Sequence, residues 1–119
     1  MIYKVKCTSQ ELINYALKNT PSLIIDCANA ADPHTYFPYH DEECFENTYV
    51  LPVDLLYKFR DSLLQTQKFI QEKKIKVIVI TSYSKLFHYN NNTENNLVLN
   101  HCFELMKELN KKTKVIIQQ

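Results

Sequence analysis

Three uninterrupted apolar runs, separated by segments with helical spacing, constrain the fold of this chain more than any other feature. The runs cover residues 23–25, 77–80 and 115–117. A strand that is apolar without alternation is typical of a parallel sheet covered by helices on both faces. The sequence therefore predicts a three-layer α/β domain built around a mainly parallel, five-stranded sheet.

The remaining two strands and the first helix follow from local signals. Residues 2–7 alternate polar and apolar side chains, which is typical of a half-buried strand, and residues 48–51 form a short apolar run. Thr8 and Glu11 match a capping box, in which each residue satisfies the other's backbone N–H at the start of a helix. Pro21 is expected to end that helix.

Two longer helices are predicted in the second half of the chain. Pro52 suits the first turn of a helix over residues 53–73, since proline lacks the N–H that a helix start leaves unpaired. Asn92 or Thr93 is expected to cap a last helix, after a polar loop over residues 82–96. The inner face of the helix over 53–73 is predicted to consist of Leu55, Leu56, Phe59, Leu63, Phe69 and Ile70.

Size and charge limit the classes of function. The 119 residues suffice for one domain over residues 1–119, and 45% of them are hydrophobic. The 14 Lys and Arg residues nearly balance the 13 Asp and Glu residues. A chain whose main task is to grip a phosphate backbone is usually far more basic, so the charge does not exclude nucleic-acid binding but gives it little support.

The four cysteines indicate a reduced compartment. They are Cys7, Cys27, Cys44 and Cys102, and no two of them form a CxxC pair. Cys7 and Cys27 end apolar runs and are interpreted as small buried hydrophobes. The first residues do not resemble a secretory signal, and no apolar stretch reaches membrane-spanning length. We therefore expect an intracellular protein without a membrane segment.

Three segments, taken in order, resemble the ATPase core of the RecA/RadA superfamily. Residues 23–33 are similar to that family's "IDTExxFxP" strand and turn, and residues 77–87 to its Walker B strand with the following "DSxxxLF". Residues 115–119 are similar to the next strand, which ends "VVxTNQ". Each motif is short and common, and it is their shared order that supports the resemblance.

The catalytic parts of that family's site are missing. The chain contains no glycine, and Thr8 and Ser9 stand where the family has its GxxxxGK phosphate loop, whose backbone amides cradle phosphates. Ala28 replaces the catalytic glutamate, and Thr81 replaces the Walker B aspartate that supports magnesium. The resemblance thus implies a non-catalytic relative without a cofactor. It also implies a protein partner or self-association, because RecA-like proteins work in oligomers, and a role in DNA recombination or repair.

A metal-dependent hydrolase of the nuclease type is the competing hypothesis. Asp26, Asn29 and Asp32 lie at and after the carboxyl end of a buried strand, where ligands of open α/β sheets bind. Further ligands would have to come from the acidic stretch 41–43, since no later strand ends in a carboxylate. We favour the simpler interpretation that Asp26 and Asn29 cap turns through side-chain hydrogen bonds.

Several residues have the chemistry of zinc ligands but not the spacing. His34, His40 and Cys44, with Cys27 nearby in sequence, contain no close pair such as CxxC or HxxxH. We interpret residues 28–47 as a polar surface loop with incidental histidines.

Two other residue groups have simple structural interpretations. His101 and Cys102 are neighbours within a helix and cannot form a nucleophile pair, so Cys102 is assigned to the core and His101 to the flank. The basic cluster Lys73, Lys74 and Lys76 is interpreted as a solvated helix end, with phosphate contact as the alternative.

An aromatic group between two prolines is the main candidate for a contact surface. Tyr36, Phe37 and Tyr39 lie between Pro33 and Pro38. Such side chains either fold back over the sheet or form a contact surface, because Tyr and Phe are enriched at interface hot spots. Both interpretations stay open at this point.

Overall fold

The computed structural model describes residues 2–86 and 92–119. The strands are β1 (Tyr3–Val5), β2 (Ser22–Asp26), β3 (Thr48–Pro52), β4 (Val77–Thr81) and β5 (Lys114–Gln118). The helices are α1 (Ser9–Lys18), α2 (Pro33–Tyr36), α3 (Glu42–Glu46), α4 (Leu56–Lys73) and α5 (Asn92–Asn110). Short 3₁₀ turns occupy Phe37–Tyr39 and Tyr83–Leu86.

The five strands form one parallel sheet in the order β1-β5-β4-β2-β3. The predicted α/β fold is therefore confirmed, and every strand pair is parallel. The three apolar runs of the sequence form β2, β4 and β5, which lie side by side at the centre of the sheet. Every residue of β2 and β4 is buried, because helices cover both faces.

Alternate residues of each central strand point to two separate cores. On one face, Leu23, Ile25 and their counterparts on β4 and β5 pack with α4 and α5. On the other face, Ile24 and its counterparts pack with α1 and Tyr36 of α2. The helices between β1 and β3 thus cover one face, and the helices after β3 cover the other. The chain changes face at β3, where its path across the sheet reverses.

The capping box that begins α1 is confirmed. The Glu11 backbone N–H donates to Thr8 Oγ1 at 3.1 Å, and the Thr8 N–H is 3.4 Å from Glu11 Oε1. The helix ends at Lys18, three residues before Pro21. Within β1, only Tyr3–Val5 of the predicted strand 2–7 pairs with β5.

The prediction for the start of α4 is wrong. Pro52 is the last residue of β3, and the helix begins at Leu56. Proline is tolerated there because β3 is an edge strand with an unpaired outer side. Leu55, predicted to face inward, is 38% exposed at the helix cap, whereas Leu56, Phe59, Leu63 and Ile70 are buried as predicted.

Residues 28–47 are more ordered than a loop. They contain α2, a 3₁₀ turn and α3, each too short for its hydrophobic spacing to stand out in the sequence. The predicted loop 82–96 is also shorter, since a 3₁₀ turn follows β4 and α5 begins at Asn92. Residues 87–91 of that prediction lie outside the described residues.

Within the described parts of this glycine-free chain, three residues have left-handed backbone conformations. They are Asn29 with φ 54°, Lys74 with φ 53° and Ser82 with φ 21°. Lys74 ends α4 in the left-handed conformation, a helix end at which glycine is the usual residue. Asn29 and Ser82 lie just after the carboxyl ends of β2 and β4.

Candidate functional site

The carboxyl ends of β2 and β4 form the crevice where an open α/β sheet normally holds a ligand. These strands are neighbours in the sheet, and Asp26 is in register with Thr81. The chain leaves β2 toward the helices of one face and leaves β4 toward α5 on the other. Two neighbouring strands whose connections separate in this way define a topological switch point.

Hydrogen bonds from Thr81 link the ends of the two strands. Its hydroxyl donates to Asp26 Oδ1 at 2.9 Å. The same oxygen accepts the backbone N–H groups of Cys27 at 3.0 Å and Ala28 at 3.2 Å. Thr81 is fully buried. Thr81 thus holds the end of β2 and the residues directly after it, including Ala28.

Asp26 is satisfied by the turn that follows it. Besides Thr81, it accepts the backbone N–H of Ala30 at Oδ1 (3.1 Å) and that of Ala31 at Oδ2 (2.9 Å). Only 4% of the residue is exposed. The left-handed conformation of Asn29 turns the chain so that both amides point back at the carboxylate. Asp26 therefore acts as the centre of a buried turn, as predicted, whereas Asn29, among the described residues, contributes its left-handed backbone and not the side-chain hydrogen bond that was predicted for it.

The structure does not bring the proposed metal ligands together. Asn29 and Asp32 are exposed, and Asp32 Oδ1 accepts the His34 N–H at 3.0 Å in a local turn. Asp41 caps α3 by accepting the Cys44 N–H at 3.1 Å. Among residues 2–86 and 92–119, no three His, Cys, Asp or Glu side chains are grouped closely enough to hold a metal ion.

Next to the start of α1, the side chain of Gln118 forms hydrogen bonds with residues of three different segments. Its Oε1 accepts the hydroxyl of Ser9 at 2.9 Å and the N–H and hydroxyl of Ser82, each at 3.2 Å. Its Nε2 donates to the Cys7 carbonyl at 3.0 Å. One side chain at the end of β5 thereby joins the ends of β1 and β4 to α1, at the point where the resemblance expects a phosphate loop.

The residues with zinc-ligand chemistry are dispersed. His34 is exposed, whereas His40 Nε2 lies 2.7 Å from Asn14 Oδ1 and its ring packs edge-on against Phe45. Cys44 is half-buried on α3, and Cys27 lies in the opposite core. Within the described residues, these four side chains are therefore not brought together in one cluster.

The buried cysteines are held as neutral thiols. Burial, with the nearby Asp26 charge, raises the pKa of Cys27 to about 12. Burial raises the pKa of Cys102 to about 11, against a smaller opposing effect of Arg60. His101 is exposed, so the assignment of Cys102 to the core and His101 to the flank is confirmed. Cys7, expected to be buried, is half-buried because it lies beyond the end of β1.

The aromatic group divides into a core residue and a surface residue. Tyr36 is 3% exposed, and its hydroxyl donates to the Ala30 carbonyl at 3.0 Å. Tyr39 is 79% exposed. The side chain of Phe37 lies outside the described residues. Tyr36 thus supports the turn around Asp26, and Tyr39 is exposed and available to a partner.

The lysine cluster lies at the end of the sheet opposite to the crevice, which is at the carboxyl ends of the strands. Lys73 and Lys74 end α4, and Lys76 precedes β4, so the cluster is at the amino end of the strands. The Lys73 ammonium lies 5.9 Å from the centre of the Tyr49 ring. All three lysines are exposed, which agrees with a solvated helix end.

Edge strand β3 is flanked by a groove on each face of the sheet. The groove toward α4 has a volume of about 550 Å³ and includes Tyr49, Leu51 and Phe69 in its lining. The groove on the opposite face has a volume of about 340 Å³ and includes Tyr36 and Phe45. Val50 is 46% exposed between them. Concavities of about 510 and about 480 Å³ lie beside the other edge strand, β1, and both include Lys4 and Phe103.

No protein-family model matches the chain, and no curated protein matches it significantly. No helix in residues 2–86 and 92–119 is both long and apolar enough to cross a membrane.

Proposed function

We propose that this chain is a non-catalytic binding module with a RecA-like core, which acts by contacting protein rather than by turning over nucleotide. The observation that carries the proposal is the hydrogen bond from Thr81 Oγ1 to Asp26 Oδ1. It occupies the switch-point crevice with the protein's own side chains. A buried crevice whose polar groups already have partners offers a nucleotide–metal complex neither space nor unpaired ligands.

The arrangement of the strands supports the RecA-like part of the proposal. The three segments that resemble the family are β2, β4 and β5, and these strands are consecutive neighbours in the sheet. The positions of the catalytic glutamate and the Walker B aspartate also come into contact, since the Ala28 N–H donates to Thr81 Oγ1. Two positions that would cooperate in catalysis are thus adjacent, although neither carries a charge.

In the proposed module, the residues at the position of the family's phosphate loop have hydrogen-bond partners within the protein. Thr8 is used in the capping box of α1, and Ser9 hydrogen-bonds Gln118. The first turn of α1 is therefore stabilised without a phosphate. A role in DNA recombination or repair is part of the proposal and depends on the resemblance alone, because fold does not determine function.

A direct test measures nucleotide binding and turnover by the pure protein. Calorimetric titration with Mg-ATP should give no binding heat, and phosphate release should equal the rate without protein. An active RecA-family ATPase, assayed in parallel, provides the positive control. Detectable turnover that persists through repurification would overturn the proposal.

The competing hydrolase hypothesis has its own test. Manganese or magnesium would be titrated into the wild type and into Asp32→Asn, since Asp32 is exposed and its replacement leaves the buried turn intact. Saturable binding of the metal that is lost in this variant, together with cleavage of a nucleic-acid substrate, would favour the hydrolase over the binding module.

A further inference from the structure

The two edges of the sheet differ in how they resist pairing with another strand. β1 has only three residues, with Lys4 among them and Lys6 directly after. Short length and lysines are the usual protection of an exposed edge. β3 has five residues, Thr-Tyr-Val-Leu-Pro, and none of them is charged. Its one protective feature is Pro52 at its last position, which leaves the rest of the strand open to pairing.

The open side of β3 presents backbone groups from two residues. Ser22 N–H donates to the Asn47 carbonyl, and Val53 N–H donates to the Asp26 carbonyl. In the regular parallel ladder between these bonds, Tyr49 and Leu51 direct their N–H and C=O groups toward β2. Thr48 and Val50 consequently direct theirs away from the sheet. Within residues 2–86 and 92–119, β3 pairs with no strand other than β2.

The charges beside β3 favour a neutral occupant. In the groove toward α4, Lys68 and Glu72 form an ion pair at 3.8 Å and offset each other's charge, and the Lys73 ammonium, 5.9 Å from the centre of the Tyr49 ring, is a further charge near β3. In the opposite groove, Glu42 is the single charged residue among apolar ones. An apolar extended segment without a strong charge fits this edge better than an anionic or cationic ligand.

We propose that a second copy of this chain pairs its β3 with this β3, in antiparallel orientation about a two-fold axis through Tyr49. In that register each Thr48 lies opposite the partner copy's Val50. The pair exchanges both backbone hydrogen bonds, because both residues present their N–H and C=O groups outward. The result is one sheet running through both copies.

The match of the strand to itself is the reason for choosing a second copy. A two-fold interface requires a surface that is complementary to itself, and β3 meets this requirement in its backbone and its side chains. Thr48 and Val50 are both β-branched, which makes a favourable cross-strand pair. Pro52, which has no N–H to donate, falls outside the exchanged bonds. This inference rests on the proposed function, since it names the partner of the binding module.

The first experiment measures the mass of the protein in solution by light scattering or sedimentation. We expect the wild type to be a dimer that dissociates on dilution. Val50→Pro removes one outward N–H, and Val50→Lys places a charge opposite Thr48; both should give monomers. Val50→Thr keeps the N–H and the branched side chain and should remain dimeric. Lys4→Pro removes an N–H from the β1 edge as the matched control and should also remain dimeric.

The second experiment tests the register. Directly opposite residues that do not exchange hydrogen bonds have Cα atoms about 4.5 Å apart, within reach of a disulfide. Tyr49→Cys should therefore form a dimer linked through residue 49 under mild oxidation. Val50→Cys should not link to its own equivalent, because residue 50 lies opposite residue 48. Peptide mapping distinguishes these links from any that involve the native cysteines.

The outcomes separate this inference from the proposed function. A wild type that stays monomeric at high concentration, or a dimer that Val50→Lys leaves intact while the variant remains folded, overturns pairing through β3. Neither result touches the absence of ATP turnover. Conversely, ATP turnover by a dimer would overturn the proposed function and leave the β3 interface standing.

Discussion

Thr81 on β4 and Asp26 on β2 lie in register on neighbouring strands, and the threonine hydroxyl donates to the aspartate at 2.9 Å. They are 55 positions apart in the sequence. Together they satisfy the backbone N–H groups of Cys27, Ala28, Ala30 and Ala31. Two side chains of the protein therefore provide the hydrogen-bond acceptors for the backbone that follows β2.

Replacing Thr81 with valine should destabilise the protein by about 2 kcal/mol or more. The substitution keeps the shape but removes the hydroxyl, so the N–H groups of Cys27 and Ala28 lose their acceptor, whereas Asp26 Oδ1 keeps the Ala30 N–H. Each such unsatisfied group costs about 1–3 kcal/mol. Urea unfolding followed by circular dichroism measures the change in the free energy of unfolding.

Thr81→Ser is the matched control for that variant. Serine keeps the hydroxyl and loses one buried methyl group, for which about 1 kcal/mol is expected. If the valine variant proves as stable as the serine variant, the hydroxyl does not hold the end of β2.

Replacing Asp26 with asparagine should cost about 2–3 kcal/mol. One amide nitrogen of the new side chain would face a backbone N–H that now donates to the carboxylate, and hydrogen bonds to a charged group contribute about 1.5–3 kcal/mol. Hydrogen exchange read by NMR should show faster exchange at Ala30 and Ala31. Asp32→Asn, at an exposed position, should change stability by less than about 0.5 kcal/mol; equal losses in both variants would contradict the structure.

The four cysteines should divide into two more accessible and two protected thiols, although the pKa values of Cys7 and Cys44 are also raised, that of Cys7 mainly by burial and that of Cys44 mainly by its hydrogen bond to Asp41. Cys7 and Cys44 are half-buried, whereas Cys27 and Cys102 are buried and have pKa values raised to about 12 and about 11. Because the thiolate is the reactive species, the buried pair should resist alkylation in the folded protein. Mass spectrometry after brief iodoacetamide treatment locates the modified residues, and treatment in denaturant gives full modification as the control. Rapid native modification of Cys102 would be inconsistent with its position.

The pKa of Asp41 should lie below the ordinary aspartate range. Hydrogen bonds from the Cys44 side chain and backbone lower this pKa, and His40 adds a smaller effect in the same direction. A group whose pKa is lower in the folded state stabilises the protein above its unfolded pKa. That stabilisation is lost as the pH falls through the folded value.

An NMR titration of the Asp41 carboxyl carbon measures this pKa directly. Asp41→Asn keeps a residue that caps helices well but cannot titrate. The variant should therefore lack the part of the acid dependence of unfolding that comes from this group. An unshifted titration of Asp41 would contradict the hydrogen bonds at the start of α3.

Hydrophobic pattern was sufficient to predict the sheet, because β2, β4 and β5 are buried on both sides and cannot alternate. It was insufficient for α2 and α3, which have four and five residues and so complete barely one turn each. The prediction that Pro52 begins α4 was wrong for a related reason. Proline suits both a helix start and an edge strand, and the position of β3 in the sheet distinguishes the two.

The hydrogen bonds at the crevice depended on distant pairings that a single sequence does not reveal. The departures at Ala28 and Thr81 were visible in the sequence, but their contact required β2 and β4 to be neighbours in a definite register. Gln118 is separated from Ser9 by 109 positions, and no local signal connects them. Tyr36 and Tyr39 are close in the sequence, and the short helix between Pro33 and Tyr36 places one inside and the other outside.

The left-handed conformations of Asn29, Lys74 and Ser82 show where this glycine-free chain adopts backbone geometry that is unfavourable for residues with a side chain. Glycine makes such conformations easy, but it also enlarges the set of shapes open to the unfolded chain. This chain accepts strain at a few positions and begins folding from a more restricted ensemble. Each turn therefore loses less conformational entropy on folding than a turn with glycine would lose. Stiffness in the denatured state thus contributes to the stability of a fold whose native turns are individually unfavourable.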